Sequence, residues 1–184
     1  SSYQLRPWLE AELERYQLSV ERGVTDKLLE LTAGEENQQA RLELELDKLA
    51  LLGGELTVQL VEQYVQPSPQ TNAFAILEAG LAGDQAKVAQ LLDRLIMAGE
   101  DSNRFLGLLA SQALALAGVL TGAKVKLSPY QLNQTRQLAE RVGAHRLKSR
   151  LGGIIAKLAQ LDGKMKQSAP DEAWLYIRST LSNI

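Results

Sequence analysis

The chain has 184 residues, 45% of them hydrophobic, and a formal net charge of −2, which allows one sizeable core or two small ones. It has no cysteine, so disulfide frameworks and thiolate metal sites are excluded, in keeping with an intracellular, cytoplasmic protein. No run reaches the ~18 consecutive apolar residues of a membrane span, and the nearest, residues 105–120, carries Ser111 and Gln112. The N-terminus lacks the basic-then-apolar pattern of a signal peptide.

In chain order, RPWLEAELERYQL has apolar positions at helical spacing, with Pro7 early and Gly23 expected to close the segment. TDKLLELTAG predicts a short helix, capped by Thr25 or Asp26 and ended by Gly34. In ENQQARLELELDKLALLGG, Leu42, Leu44 and Leu46 alternate as in a strand. However, Leu42, Leu46, Leu49 and Gly53 follow a helical ridge and no β-branched residue intervenes, so the segment is read as a helix stopped by Gly53-Gly54. Thr57 is placed to cap VQLVEQYV, after which QPSPQT reads as extended chain because residues before proline avoid helical angles. The domain boundary is therefore set at the linker 66–71, between domains 1–65 and 72–184.

Beyond it, Asn72 is placed to cap a helix with Phe74, Leu77 and Leu81 on its inner face, and Gly83 to end it. Asp84 then caps a helix with Val88, Leu91, Leu92, Leu95 and Ile96 as its buried stripe, ended by Gly99. Residues 104–120 are apolar nearly all round and are expected to form the central, most buried helix. Ser128-Pro129-Tyr130-Gln131 has the pattern of a helix start. A long helix follows near His145, with Leu147, Leu151, Ile154, Ile155, Leu158, Leu161 and Met165 on one face, and Pro170 opens a last helix with Trp174, Ile177 and Leu181. No strand and no repeat of fixed period is expected, so the fold class is all-α.

Little of this points to catalysis. The single histidine, His145, lies amid Arg141, Arg146 and Lys148, and without cysteine it cannot build a typical zinc site. The acidic pairs Glu35-Glu36 and Glu100-Asp101 sit at helix boundaries, where negative charge is favourable without any hydrolytic role. GLAGDQAK, with Gly80, Gly83 and Lys87, lacks the Gly-Lys-[Ser/Thr] ending of a phosphate loop. Its glycines, like Gly99, are read as punctuation between helices. Asn133-Gln134-Thr135 matches a glycosylation acceptor inside a helical segment and is discounted. Trp8, Tyr64, Tyr130 and Trp174 are too scattered for a base-stacking platform. No cofactor and no metal is expected.

Charge is unevenly spread. Residues 1–65 carry −7, residues 66–184 carry +5, and residues 124–184 alone carry +7. A basic end of this kind fits an acidic partner surface or simply a solvated helix face, and the second is favoured.

Taken in order, LELELDKLALLGGELTVQLVEQYV, a short linker, and NAFAILEAGLAGDQAKVAQLLDRLIMAGEDSNRFLGLLASQ resemble the delta subunit of bacterial DNA polymerase III. The shared features are a leucine-rich helix ending in glycine, a threonine-led short helix, an Asn-x-Phe start, a Gly-Asp turn and a Gly-Glu turn before a leucine-rich helix. LAQLDGKMK resembles that family's Leu-x-x-x-Asp-x-x-x-Lys segment, whereas residues 124–150 fit least well.

The resemblance implies a subunit of the clamp loader, a five-subunit machine that opens the sliding clamp and places it on primed DNA. It implies no intrinsic enzymatic activity, within the DNA polymerase III holoenzyme. Residues 1–65 would be a small helical lid and residues 72–184 a helical-bundle collar that assembles with the other loader subunits. The sliding clamp would be bound through an N-terminal domain that this chain lacks, consistent with a fragment beginning Ser-Ser. The helices at 104–120 and 147–165 would supply both core and neighbour contacts. The candidate interface or basic surface is Arg136, Arg141, Arg146, Lys148, Arg150 and Lys157, with DNA reached through the assembled complex. The rival reading is a helical scaffold or the dimerisation module of a regulatory protein, although helices of unequal length and different caps fit that less well.

Overall fold

The structure, a computed structural model, describes the backbone of residues 2–125, 127, 129–165 and 170–182. Side chains are described for these except residues 2, 3, 129, 130, 162, 165, 170, 171 and 182. The described residues form an all-α fold that divides into two compact units, Ser1–Thr71 and Asn72–Ile184.

Unit 1 contains α1 (Ser2–Arg15), β1 (Ser19–Val20), α2 (Val24–Leu31), α3 (Gln38–Ala50), β2 (Glu55–Leu56) and α4 (Val58–Tyr64). The leucine ridge of α3 decides its fold: Leu42, Leu46 and Leu49 are buried, while Leu44 is 61% exposed. A strand would have placed Leu42, Leu44 and Leu46 on one face. That ridge packs with Leu9, Leu13, Val24, Leu28 and Val61 into one apolar core, each leucine contributing roughly 1.5–3 kcal/mol of burial.

Several local expectations fail here for identifiable reasons. Pro7 lies inside α1 rather than near its start. The chain leaves α1 through Gln17, whose φ is 54°, well before Gly23. Gly23, with φ 102°, opens α2 instead of closing the preceding segment, and Thr25 and Asp26 lie within that helix without capping it. A two-residue parallel pairing also exists, Ser19 with Glu55 and Val20 with Leu56. So short a ladder leaves no periodicity in sequence. It has a use: it brings Glu21 to α4, where the Glu21 carboxylate accepts the Val58 N–H at 3.0 Å while Thr57 accepts that of Leu60 at 3.2 Å. Two of the four exposed amides at that helix start are thereby satisfied.

The expected linker at 66–71 is extended only through residue 68, because α5 (Pro69–Ala82) begins three residues before Asn72. Ser68 is the cap: its hydroxyl accepts the Thr71 N–H at 3.1 Å and donates to the Ala33 carbonyl at 2.6 Å. Pro69 takes the first helical position, where its missing N–H costs nothing. The division between the units falls inside this helix.

Unit 2 continues α5 and adds α6 (Gln85–Met97), α7 (Ser102–Thr121), α8 (Pro129–Val142), α9 (Ala144–Met165) and α10 (Pro170–Ser182). Gly83, with φ 84°, stops α5, and Asp84 caps α6 by accepting the Lys87 N–H at 3.0 Å. Gly99 and Asp101 repeat the device before α7, with a 2.7 Å bond from the Arg104 N–H. Gly80, by contrast, lies within α5 and is buried.

The core gathers Phe74, Leu77, Leu81, Val88, Leu92, Leu109, Leu116, Leu147, Leu151, Ile154, Trp174 and Ile177. Phe105 of α7 meets Trp174 of α10 with ring centroids 5.4 Å apart. The helix α7 is the one described helix long and apolar enough to cross a membrane. It is not buried all round, contrary to expectation: Phe105, Leu109, Ala113 and Leu116 face the core, but Leu114 is 59% exposed. Ser128 as a cap and the side chain of Met165 lie outside the described residues.

Candidate interaction surfaces

Among the described residues no group of three or more histidine, aspartate or glutamate side chains is placed to hold a metal. His145 is exposed at the start of α9. Of the two acidic pairs, Asp101 caps α7, while Asn37 rather than Glu35 or Glu36 caps α3, accepting the Ala40 N–H at 3.2 Å.

The more informative features of unit 2 are apolar and lie on its surface. Between α7 and α9 runs a groove of about 220 Å³, lined by Asn103, Gly107, Ala110 and Leu114 on one side and Ile155 and Ala159 on the other. Helical periodicity puts Gly107, Ala110 and Leu114 on a face turned away from the Leu109–Ala113–Leu116 ridge. Beside it, nothing lies within 4 Å of where a Cβ would stand on Gly152 or Gly163 of α9. Another helix backbone could approach α9 closely at those positions. A separate apolar patch exposes Ile96 of α6 and Leu175 of α10 beside Trp174, and Met97 is exposed at the end of α6. Arg178 and Asp93 form an ion pair joining these two helices.

The six basic candidates do not behave as one surface. Arg136 and Arg141 are exposed on α8, and Arg146 and Lys148 are exposed on α9. Arg150 is half-buried and structural, since its guanidinium donates to the Leu81 carbonyl at 2.7 Å, satisfying a carbonyl in the last turn of α5. Lys157 is half-buried in a cleft between α9 and α10. Sequence reasoning found the charges but could not see this tertiary capping, which joins residues 69 positions apart. It also missed Leu114, Met97 and Leu175 as surface residues, for which an apolar helix sequence carries no distinguishing signal.

No family model matches the sequence, and no curated protein sequence matches it significantly. Among solved structures, the chain is similar to the Bacillus subtilis DNA clamp loader delta protein YqeN, with a TM-score of 0.72 at 18% identity. The likeness covers 98% of this chain and 55% of that one. The chain thus spans about half the length of that neighbour and shares its clamp-loader-like fold.

Proposed function

We propose that this chain is a non-catalytic helical part of a bacterial clamp loader, with residues 1–65 as a lid and residues 72–184 as an assembly collar. The observation that carries the reading is the fold likeness to a clamp loader delta protein across nearly the whole chain. The order of sequence motifs leading to the same family supports it independently. In this reading the protein works in the cytoplasm, its partners are the other loader subunits, and the clamp and DNA are reached through the complete assembly.

Assembly on a collar needs surface that is apolar without being core, and unit 2 has it in two places. The α7–α9 groove offers small residues for close helix approach, and the Ile96–Leu175 patch offers large exposed side chains. We assign both as flanks for neighbouring subunits. Leu114→Asp and Leu175→Asp test this directly, because each places a charge where a neighbour would bury it. Each is expected to abolish co-elution with one neighbouring loader subunit in size-exclusion chromatography while leaving the helical circular dichroism intact. Unchanged co-elution in both variants refutes the assignment of these flanks, and failure of the unmodified chain to bind any loader subunit refutes the loader reading.

A further inference from the structure

A polar cleft of about 170 Å³ opens between α9 and α10, lined by Lys157, Gln160, Leu161 and Lys164 from one helix and Tyr176, Ser179 and Thr180 from the other. Lys157 and Lys164 are seven residues apart, two helical turns, so both stand on one face of α9 with Gln160 between them. Tyr176, Ser179 and Thr180 occupy positions i, i+3 and i+4 and face them from α10. Among the described residues no acidic side chain lines the cleft. Arg146 stands on the same side of α9, three turns before Lys157, and extends the positive stripe.

We propose that this cleft is a binding site for a phosphate group. Lysine, glutamine, serine, threonine and tyrosine are among the side chains that contact phosphate oxygens, lysine as a point charge and the others as hydrogen-bond donors. The cleft holds two of the first and four of the others at its rim. Among the described residues it contains no arginine, so its positive charge comes from lysine, which holds phosphate as a point charge and not through a bidentate fork. Lysine near a helix C-terminus is favourable in itself, which accounts for Lys164 in the last turn of α9 but not for Lys157 or for the hydroxyl face opposite. Lys157, Lys164 and Ser179 each already make a polar or electrostatic contact within the chain, so a ligand exchanges with those contacts. The proposal is independent of the loader reading. The same chemistry serves a nucleic-acid backbone or a free phosphate.

The test is ¹⁵N NMR on the full chain, titrated separately with inorganic phosphate, a single-stranded oligonucleotide and poly-glutamate at about 0.15 M salt, where distant surface charges are screened. The expected result is that amides of Gln160, Lys164, Tyr176, Ser179 and Thr180 shift with phosphate, with the oligonucleotide, or with both. Response to the oligonucleotide alone identifies a backbone site, and response to phosphate identifies a small-anion site. In the backbone case, Lys157→Ala/Lys164→Ala should flatten the slope of log affinity against log salt by about 1.4, as expected when two contacts to a single strand are lost. In the small-anion case it should weaken phosphate binding at least tenfold. Arg136→Ala/Arg141→Ala, which removes the same charge from α8, should leave either readout unchanged. The proposal is overturned if neither probe shifts these amides, if poly-glutamate shifts them as strongly, or if the α8 variant has the same effect. Because the mapping uses the unmodified chain, it stands even where a variant does not fold.

Discussion

Unit 1 and unit 2 are both helical, yet they hold together by different means. Unit 1 joins short helices whose contacts are supplemented by charge: Arg6 of α1 pairs with Asp26 of α2, Lys27 of α2 with Glu62 of α4, and Tyr16 after α1 bonds to Asp47 of α3. Unit 2 has such links too, Arg178 with Asp93 and Arg150 with the Leu81 carbonyl, but adds longer helices and a broader apolar core, in which α7 packs mainly on α9 and α10. Short helices bury little surface each, so side-chain links between them matter proportionately more. The larger core can leave apolar side chains such as Leu114 and Leu175 outside it.

The comparison is broken most directly by removing one leucine from each core. Leu46 in unit 1 and Leu109 in unit 2 are both fully buried, and Leu→Ala at such sites costs about 2–5 kcal/mol. The two tryptophans, Trp8 and Trp174, fall one in each unit, so fluorescence of single-tryptophan variants in urea reports each unit separately. Leu46→Ala should lower the midpoint seen by Trp8 and Leu109→Ala that seen by Trp174. Equal shifts of both signals in both variants would show that the chain unfolds as one cooperative body.

A second test concerns Glu45, which is fully buried on the leucine face of α3. Arg41 approaches one carboxylate oxygen at 2.8 Å and Lys48 approaches the other, yet neither oxygen has an aligned hydrogen bond. A buried carboxylate held by Coulomb attraction alone recovers its desolvation cost poorly, and an apolar replacement of similar volume is often neutral or stabilising. Glu45→Met should therefore raise the stability of unit 1 by about 1–2 kcal/mol, read as a higher urea midpoint for Trp8. A drop of similar size would mean that the charge links of unit 1 are worth more than its apolar contacts.

Helix starts come next in size. Asp101→Ala removes the capping bond to the Arg104 N–H at 2.7 Å and should cost about 1 kcal/mol. Thr57→Ala should cost less in thermal denaturation, because Glu21 also serves α4 through the Val58 N–H. Equal losses would show that the short β1–β2 pairing contributes nothing to that cap.

These residues also show what the sequence makes legible. Asp84, Asp101 and Thr57 were readable as caps because each precedes an apolar stripe of helical period, and the ridges of α3, α9 and α10 were readable for the same reason, as was that of α6 except at Ile96, which is 38% exposed. The start of α5 was not, although Ser68-Pro69 carries the same serine-then-proline signature recognised at Ser128-Pro129. The preceding Pro67 made the segment look like a break, and the deciding bond from Ser68 to Ala33 spans 35 residues. Arg150 looks like surface charge in the sequence for a similar reason, since its partner carbonyl is set only by packing. The domain separation at 66–71 rests on composition alone, whereas the exposed apolar flanks required knowing which side of α7 meets α9.

The smallest effect lies at alkaline pH and concerns unit 1 alone. The bond to Asp47, followed by desolvation, holds the Tyr16 phenol above its ordinary value of 10.0. For Lys27, burial pulls the ammonium down, but bonds to Glu30 and Glu62 outweigh it and leave it above its ordinary 10.5. Both groups are protonated in their linked form, and both folded values are raised. Their contribution is therefore complete below the unfolded values and lost as pH rises through the folded ones. The Trp8 midpoint should fall above about pH 10, and only slightly, because exposed links of this kind are weak. Tyr16→Phe and Lys27→Met should each remove part of that fall, together with a similar small amount of stability at pH 7. An alkaline fall that survives both substitutions would locate the lability elsewhere and remove these two links from the account of how unit 1 differs from unit 2.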